Sequence, residues 1–316
     1  FKQKTAYEIG VRLVGSEMCI RDRVATQLQI PSVTDNYRAI LENDDIEAVL
    51  ICSSTHTHAR LTREAAEAGK HIFCEKPIAH SLAEIDAALA AVAKAGVKLQ
   101  VGFNRRFDAN FRRVRCAVET GEIGTPALLH IVSRDPGPPP VSYVKVSGGM
   151  FLDMTIHDFD MARYLIGAEI EEVYVQAGVT VDPAIGEAGD VDTAVIMLKF
   201  ANGVIGTIDN CRRASYGYDQ RVEILGSKGA ISTMNNYPNA ATVSDAVSVR
   251  RDLPLNFFMD RYTESFATEM ASFVDAVLHN RPVLVTGLDG RMPVVMGLAA
   301  GKSYREGRPV KLSEIG

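Results

Sequence analysis

Three short apolar runs, Ala48–Cys52, His71–Cys74 and Leu99–Phe103, are separated by stretches of helical pattern, and this alternation constrains the fold most. A short helix starting at Thr34-Asp35 and running through Ile40-Leu41 precedes the first run. The segment Arg60–Ala68 reads as a helix stopped by Gly69, since glycine readily takes the left-handed conformation that ends helices. Ser81 and Glu84 have capping-box spacing at the head of the Ala/Leu-rich helix Leu82–Ala95, which ends at Gly96. Strands alternating with helices of roughly 10–15 residues imply βαβ units and a parallel sheet.

The character changes after Gly124. Leu128–Ser133, Glu171–Val181, Val191–Phe200, Val204–Asn210, Gln220–Leu225 and Ala230–Met234 read as strands, and Asn202-Gly203 is a hairpin turn signal. One helix, Gly149–Ile166, interrupts them, and two more follow near Glu264–Leu278 and Val294–Tyr304. The expected fold class is α/β: a Rossmann-type parallel-sheet domain, truncated at its N-terminus, plus an α+β domain with a large, mostly antiparallel sheet. The expected boundaries are residues 24–123 for the first domain and 124–290 for the second, a substrate and oligomerisation domain. Residues 291–316 are expected to form a helix and tail packing back on the first.

The net charge of −5 and the lack of a basic stripe interleaved with aromatics argue against a nucleic-acid surface. No apolar run approaches the ~18 residues of a membrane span, and no signal peptide is evident. The five cysteines (Cys19, Cys52, Cys74, Cys116, Cys211) are odd in number and lack paired metal-type spacing, which suits reduced thiols in a cytoplasmic protein.

The first three strands each end in a polar cluster: Ser53-Ser54-Thr55-His56-Thr57-His58, Glu75-Lys76, and Asn104-Arg105. Open α/β sheets bind ligands beyond the carboxyl ends of their strands, so three such endings on one rim point to one crevice. A charged pair pinned by Pro77 is poorly placed for packing and well placed to meet a ligand. Thr55 and Thr57 also suit plain helix caps. His56 and His58, two apart, point the same way in extended chain, but no third metal ligand is evident and no metal is expected.

On the Gly149–Ile166 helix, Asp153, His157 and Asp160 stand at i, i+4 and i+7 and share a face. A carboxylate beside an imidazole fixes its tautomer and raises its basicity, which suits general-base work near neutral pH. The same spacing also occurs as an ordinary exposed pair.

Glu75-Lys76-Pro77, Gly102-Phe103-Asn104-Arg105-Arg106-Phe107, and Gly148-Gly149 followed by Asp153, His157 and Asp160 together resemble the glucose–fructose oxidoreductase / inositol dehydrogenase / MocA (Gfo/Idh/MocA) family, from Val24 to the end. Ser133-Arg134-Asp135-Pro136 and Asn210-Cys211-Arg212 are similar to its inositol 2-dehydrogenase branch. The resemblance implies oxidation of a secondary alcohol on a cyclic polyol, myo-inositol first, with NAD as cofactor and NADP left open. It implies that His157 takes the hydroxyl proton, Asp153 orients His157, and Lys76 hydrogen-bonds the reacting oxygen, with Asp160 on a neighbouring hydroxyl. Ser53, Thr55, His58, Glu75, Lys76, Asn104 and Arg105 would line the cofactor, and Tyr216 or Tyr218 would close the polyol pocket. A homo-oligomer, dimer or tetramer, is expected from the partly apolar sheet. Another sugar dehydrogenase, or a non-catalytic NAD(P)-sensing regulator on the same fold, are the alternatives; the Lys76, Asp153 and His157 set counts against the regulator.

One part of the family pattern is missing. The Gly-x-Gly-x-x-Gly loop and the acidic residue about 20 positions later are absent. In their place Phe1–Ile9 and Leu13–Arg23 look like translated sequencing-adapter sequence, with Gly10–Arg12 where a variable index would lie. The segment has no sustained strand or helix period. The chain, which lacks an initiator Met, is expected to be a fragment that binds NAD poorly.

Overall fold

The computed structural model describes residues 27, 29, 30 and 33–316. The adapter-like segment, residues 1–23, lies outside the described residues. By its contacts the chain divides into two units, one running to Gly102 and including Asp275–Gly287, the other Phe103–Val274 with Leu288–Gly316.

In the first unit, α1 (Arg38–Leu41) precedes β1 (Ala48–Ile51), α2 (Thr55–Glu67), β2 (His71–Glu75), α3 (Leu82–Ala95) and β3 (Leu99–Gly102). The strands form a parallel sheet in the order β1-β2-β3, with Ile51 opposite Cys74 and Glu75 opposite Gly102. Ile72, Phe73, Cys74, Leu99 and Val101 are buried, as a parallel sheet covered by helices requires. The α3 bounds match those expected, and Gly96 takes the left-handed conformation at φ 67°. Ser81 is the N-cap, though its side chain makes no capping hydrogen bond.

α2 begins five residues before the Arg60 start expected from sequence, which changes the geometry of two histidines. His56 and His58 both lie on this helix, where residues two apart diverge by roughly 200°. His56 is exposed and His58 is buried. They do not point the same way.

The second unit opens with a 3₁₀ turn (Asn104–Phe107) and continues through α4 (Ala109–Glu119), β4 (Pro126–Arg134), α5 (Val141–Val144), α6 (Met150–Asp153), α7 (Ile156–Ile166), β5 (Ile170–Gly178), α8 (Pro183–Glu187), β6 (Thr193–Phe200), β7 (Ile205–Cys211), β8 (Asp219–Gly226) and β9 (Gly229–Ser232). A small hairpin, β10 (Thr242–Ser244) and β11 (Val249–Arg251), precedes α9 (Phe258–Leu278), α10 (Gly287–Glu306) and β12 (Val310–Lys311). The large sheet has the order β12-β5-β6-β7-β4-β8-β9, antiparallel except for the β4/β7 pair. The Asn202-Gly203 signal lies in the β6–β7 hairpin, with Gly203 at φ 89°.

The division falls earlier than the Ile123/Gly124 boundary read from sequence, because α4 contacts α7 and the 3₁₀ turn of the second unit. Residues 291–316 belong to that second unit: Val310 pairs with Val173, and Ser303 Oγ accepts the Val175 N–H at 3.0 Å. Among the described residues no helix is long and apolar enough to cross a membrane.

Candidate active site

The helix expected over Gly149–Ile166 is two helices. Gly148 and Gly149 sit at φ 88° and 79°, and a Cβ on Gly149 would meet Asp190 Oδ1 at 2.9 Å. That same oxygen accepts the Met150 N–H at 3.0 Å and so anchors the first turn of α6. Met154 caps the end of α6 and Thr155 the start of α7 with the backbone still right-handed, but the ladder slips as the Thr155 N–H reaches back five residues to Met150 O, and the Thr155 hydroxyl donates to Asn210 Oδ1 at 2.6 Å. Asp153 thus ends one helix and His157 lies in the first turn of the next, across a junction rather than along a continuous face.

Asp153 is buried and accepts the Tyr143 hydroxyl at 2.8 Å, with Arg212 Nη1 at 3.6 Å from its other oxygen. Burial pushes the nearby Asp135 carboxyl up to about 6; Arg212 opposes the shift and Asp153 adds to it. His157 is half-buried, with the Phe103 ring edge-on at 6.0 Å.

Two residues given ligand roles in the sequence reading are committed elsewhere. Asp160 is 1% exposed, and both its oxygens accept from Arg106, whose Nη2 also reaches Asp289 Oδ1 at 2.9 Å. A carboxylate so enclosed is a structural clamp and not a hydroxyl acceptor. Arg105 is 5% exposed and donates to Asp158 Oδ1 at 2.6 Å, while Asn210 Nδ2 donates to Asp158 Oδ2 at 2.9 Å. Burial lifts the Asp158 carboxyl above its ordinary range, against the pull of Arg105 and Asn210. Arg105 therefore braces the 3₁₀ turn against α7 and β7 and is not free for a cofactor. Tyr218 joins this network, its hydroxyl 3.4 Å from Arg105 Nη2, whereas the Tyr216 hydroxyl donates to Asp219 at 2.6 Å. Asn104, 4% exposed, opens the turn.

In the first unit, Ser53 and Thr57 hydroxyls meet at 2.5 Å, and Thr55 opens α2. His58 is 1% exposed, with Nδ1 at 2.9 Å from Pro77 O and Nε2 at 2.8 Å from Ser53 O. It ties the loop after β1 to the loop after β2, and burial lowers its pKa. This places His58 as a brace for the rim, with both ring nitrogens already on backbone carbonyls. Glu75 ends β2 beside Gly102, where a Cβ would stand 2.8 Å from Glu75 Oε2; burial raises the Glu75 pKa. Lys76 follows directly. Lys76 lies in the first unit and the Asp153/His157 junction in the second.

The strand-end rim of the first unit suits a dinucleotide: hydroxyls at Ser53 and Thr55, the start of the 13-residue α2, and a carboxyl at Glu75 beside bare Gly102 backbone. Tyr143 and Asp190, which hold Asp153 and α6, carried no signal in the sequence; one follows a proline-rich loop and the other a glycine.

Residues 12–103 match the oxidoreductase family with an NAD-binding Rossmann fold, and residues 111–232 match the GFO/IDH/MocA C-terminal domain. The chain is 51% identical over 276 residues to a myo-inositol 2-dehydrogenase of Thermotoga maritima, covering 87% of this chain and 83% of that one. It superposes with a TM-score of 0.93 on the crystal structure of a "probable dehydrogenase" from Thermotoga maritima, at 47% identity, covering 94% of this chain and 90% of the other. A scyllo-inositol dehydrogenase from Lactobacillus casei, solved with NAD(H) and scyllo-inositol, gives a TM-score of 0.87 at 28% identity, covering 98% and 95%. This chain belongs to the Gfo/Idh/MocA family of oxidoreductases.

Proposed function

We propose that the chain oxidises a secondary alcohol of a cyclic polyol with NAD, most simply myo-inositol to its 2-keto product. The observation that carries this reading is the Gly148-Gly149 bend with Asp153 and His157 at the α6–α7 junction, in a chain 51% identical to a myo-inositol 2-dehydrogenase. NAD supplies the acceptor for two electrons and the carbon-bound hydrogen. His157 takes the hydroxyl proton and returns it to water, so the alcohol becomes a ketone and one proton is released. Asp153 orients the imidazole and balances its charge. The first unit's candidate for oxyanion stabilisation is Lys76, and a donor to a developing alkoxide is worth about 10²–10³ in rate at comparable sites. Ser53, Thr55 and Glu75 hold the dinucleotide.

The test is NADH formation by the full chain with myo-inositol, scyllo-inositol and aldoses, beside an NAD titration. Turnover of a cyclitol supports the reading, and the preferred isomer names the substrate. NAD binding without turnover of any cyclitol or aldose removes it. His157→Ala lowers kcat about 10²–10⁴-fold while sparing NAD affinity, as loss of a general base requires.

The protein works as a cytoplasmic homo-oligomer in this reading. The outer face of the large sheet exposes Leu128, Val195, Met197, Ile205 and Leu225, an apolar patch across four adjacent strands, which supports self-association. Light scattering of Met197→Glu against the parent chain decides it; equal masses would rule out this face.

A further inference from the structure

Arg212 follows the last residue of β7 and is 1% exposed. Among the described residues its Nε and Nη2 have no hydrogen-bond partner. Instead Nη1 stands 3.6 Å from Asp153 Oδ2 and Nη2 3.5 Å from Asp190 Oδ2. Its own N–H donates to Asp192 O at 2.8 Å, which fixes the backbone beneath the side chain. A guanidinium this deep is costly to desolvate, and it persists only where carboxylates face it. Three do. Asp153 ends α6, Asp190 holds the first turn of α6 through Met150 N–H, and Asp135 follows β4 with its carboxyl lifted by burial.

We propose that Arg212 is the positioning residue of the acid–base pair, steadying Asp153 and linking it through Asp190 to the start of α6, and thereby setting the basicity of His157. This rests on the reading of His157 as base and Asp153 as its partner. The groups around Asp153 are Tyr143 of α5, Arg212 after β7 and Asp135 after β4; Arg105 and Asp158 act on Asp135, and the Phe103 ring stands edge-on to His157. Removing the Arg212 charge leaves the Asp153 charge less compensated, which favours the imidazolium.

The deciding experiment is a nitrogen-15 titration of His157 in the full chain, its signal identified by loss in His157→Gln. In Arg212→Met the midpoint rises by about half a unit or more, because one compensating cation is gone. In Arg212→Lys, which keeps the charge and loses the fork, the midpoint stays near the parent value while kcat falls about 10-fold at unchanged NAD affinity. An unmoved midpoint in Arg212→Met overturns the proposal. Where that variant does not fold, Asp190→Asn decides: loss of the competing carboxylate leaves more of the Arg212 charge for Asp153, so the His157 midpoint falls, and no change overturns it. If the parent chain binds NAD yet turns over no polyol, the functional reading fails, while the titration still reports on Arg212.

Discussion

Asp160 grips Arg106 with both oxygens, accepting Nη2 at 2.6 Å and Nε at 2.9 Å. The fork joins α7 to the 3₁₀ turn and extends to Asp289 at the head of α10. Breaking a buried pair from one side strands the other charge, at a cost of about 3–5 kcal/mol. Asp160→Asn therefore lowers the stability of the second unit by roughly that amount in a denaturant titration. Steady-state kinetics at a temperature where the variant stays folded should show kcat within about twofold of the parent. A large fall in kcat without a fall in stability would return Asp160 to the substrate.

Asp192 gathers three consecutive backbone donors, Thr180, Val181 and Asp182, at 2.8, 2.9 and 2.9 Å. Burial works against its charge, but those N–H groups outweigh it and hold the carboxyl below its ordinary range. A group with a depressed folded pKa adds stability above its unfolded pKa, about 3.9, and loses it as pH falls through the folded value. Asp192→Asn should cost about 2–3 kcal/mol at pH 7, with the gap to the parent narrowing below pH ~4. Chemical denaturation at both pH values checks this; a gap independent of pH would show that the charge is not what the three donors hold.

Cys74 is fully buried in β2, and burial pushes its thiol up to about 12. Cys52 and Cys116 are exposed. The thiolate is the reactive form, so native chain treated with iodoacetamide should label at Cys52 and Cys116 and spare Cys74 until denaturant is added. Peptide mass spectrometry reads the order directly. Early labelling of Cys74 would mean that the first sheet opens readily.

Much of this architecture is legible in the sequence because it follows from periodicity. The runs at Ala48, His71 and Leu99 are apolar over strand lengths, and Gly69 and Gly96 mark helix ends by the conformation they permit. What escapes is decided by tertiary partners. Nothing local shows that the helix over Gly149–Ile166 breaks at Met154, since the break is secured by Thr155 reaching Asn210, 55 residues away. Asp160 looks like a site residue because it stands at i+7 from Asp153, and Arg105 because it ends a parallel strand in a polar cluster. Their roles follow from Arg106 and Asp158, and the sequence does not reveal which acid meets which base. Asp153 and His157 emerge as a pair by spacing, while the Tyr143 and Arg212 that hold Asp153 become visible only once the sheet brings them together.

His58 offers the sharpest pH test in the first unit. Its two ring nitrogens face the carbonyls of Pro77 and Ser53. Burial lowers its pKa, the carbonyls oppose that shift, and nearby Lys76 adds to it. Burial thus favours the neutral ring, in which only one of the two nitrogens donates to its carbonyl, and the unfolded chain takes up the extra proton first. Stability from this residue is full above the unfolded value of about 6.5 and declines as pH falls toward the lower folded value. The slope cannot exceed one proton's worth, about 1.4 kcal/mol per pH unit. His71 also has a pKa lowered by burial, so only the difference between parent and His58→Gln isolates the effect. Native-state hydrogen exchange at the Ile72–Cys74 amides should show the parent losing protection from pH ~6.5 downward more steeply than His58→Gln. Parallel curves for the two proteins would mean that the ring is protonated in the folded chain, donating from both nitrogens, and that the loops after β1 and β2 are braced by an imidazolium.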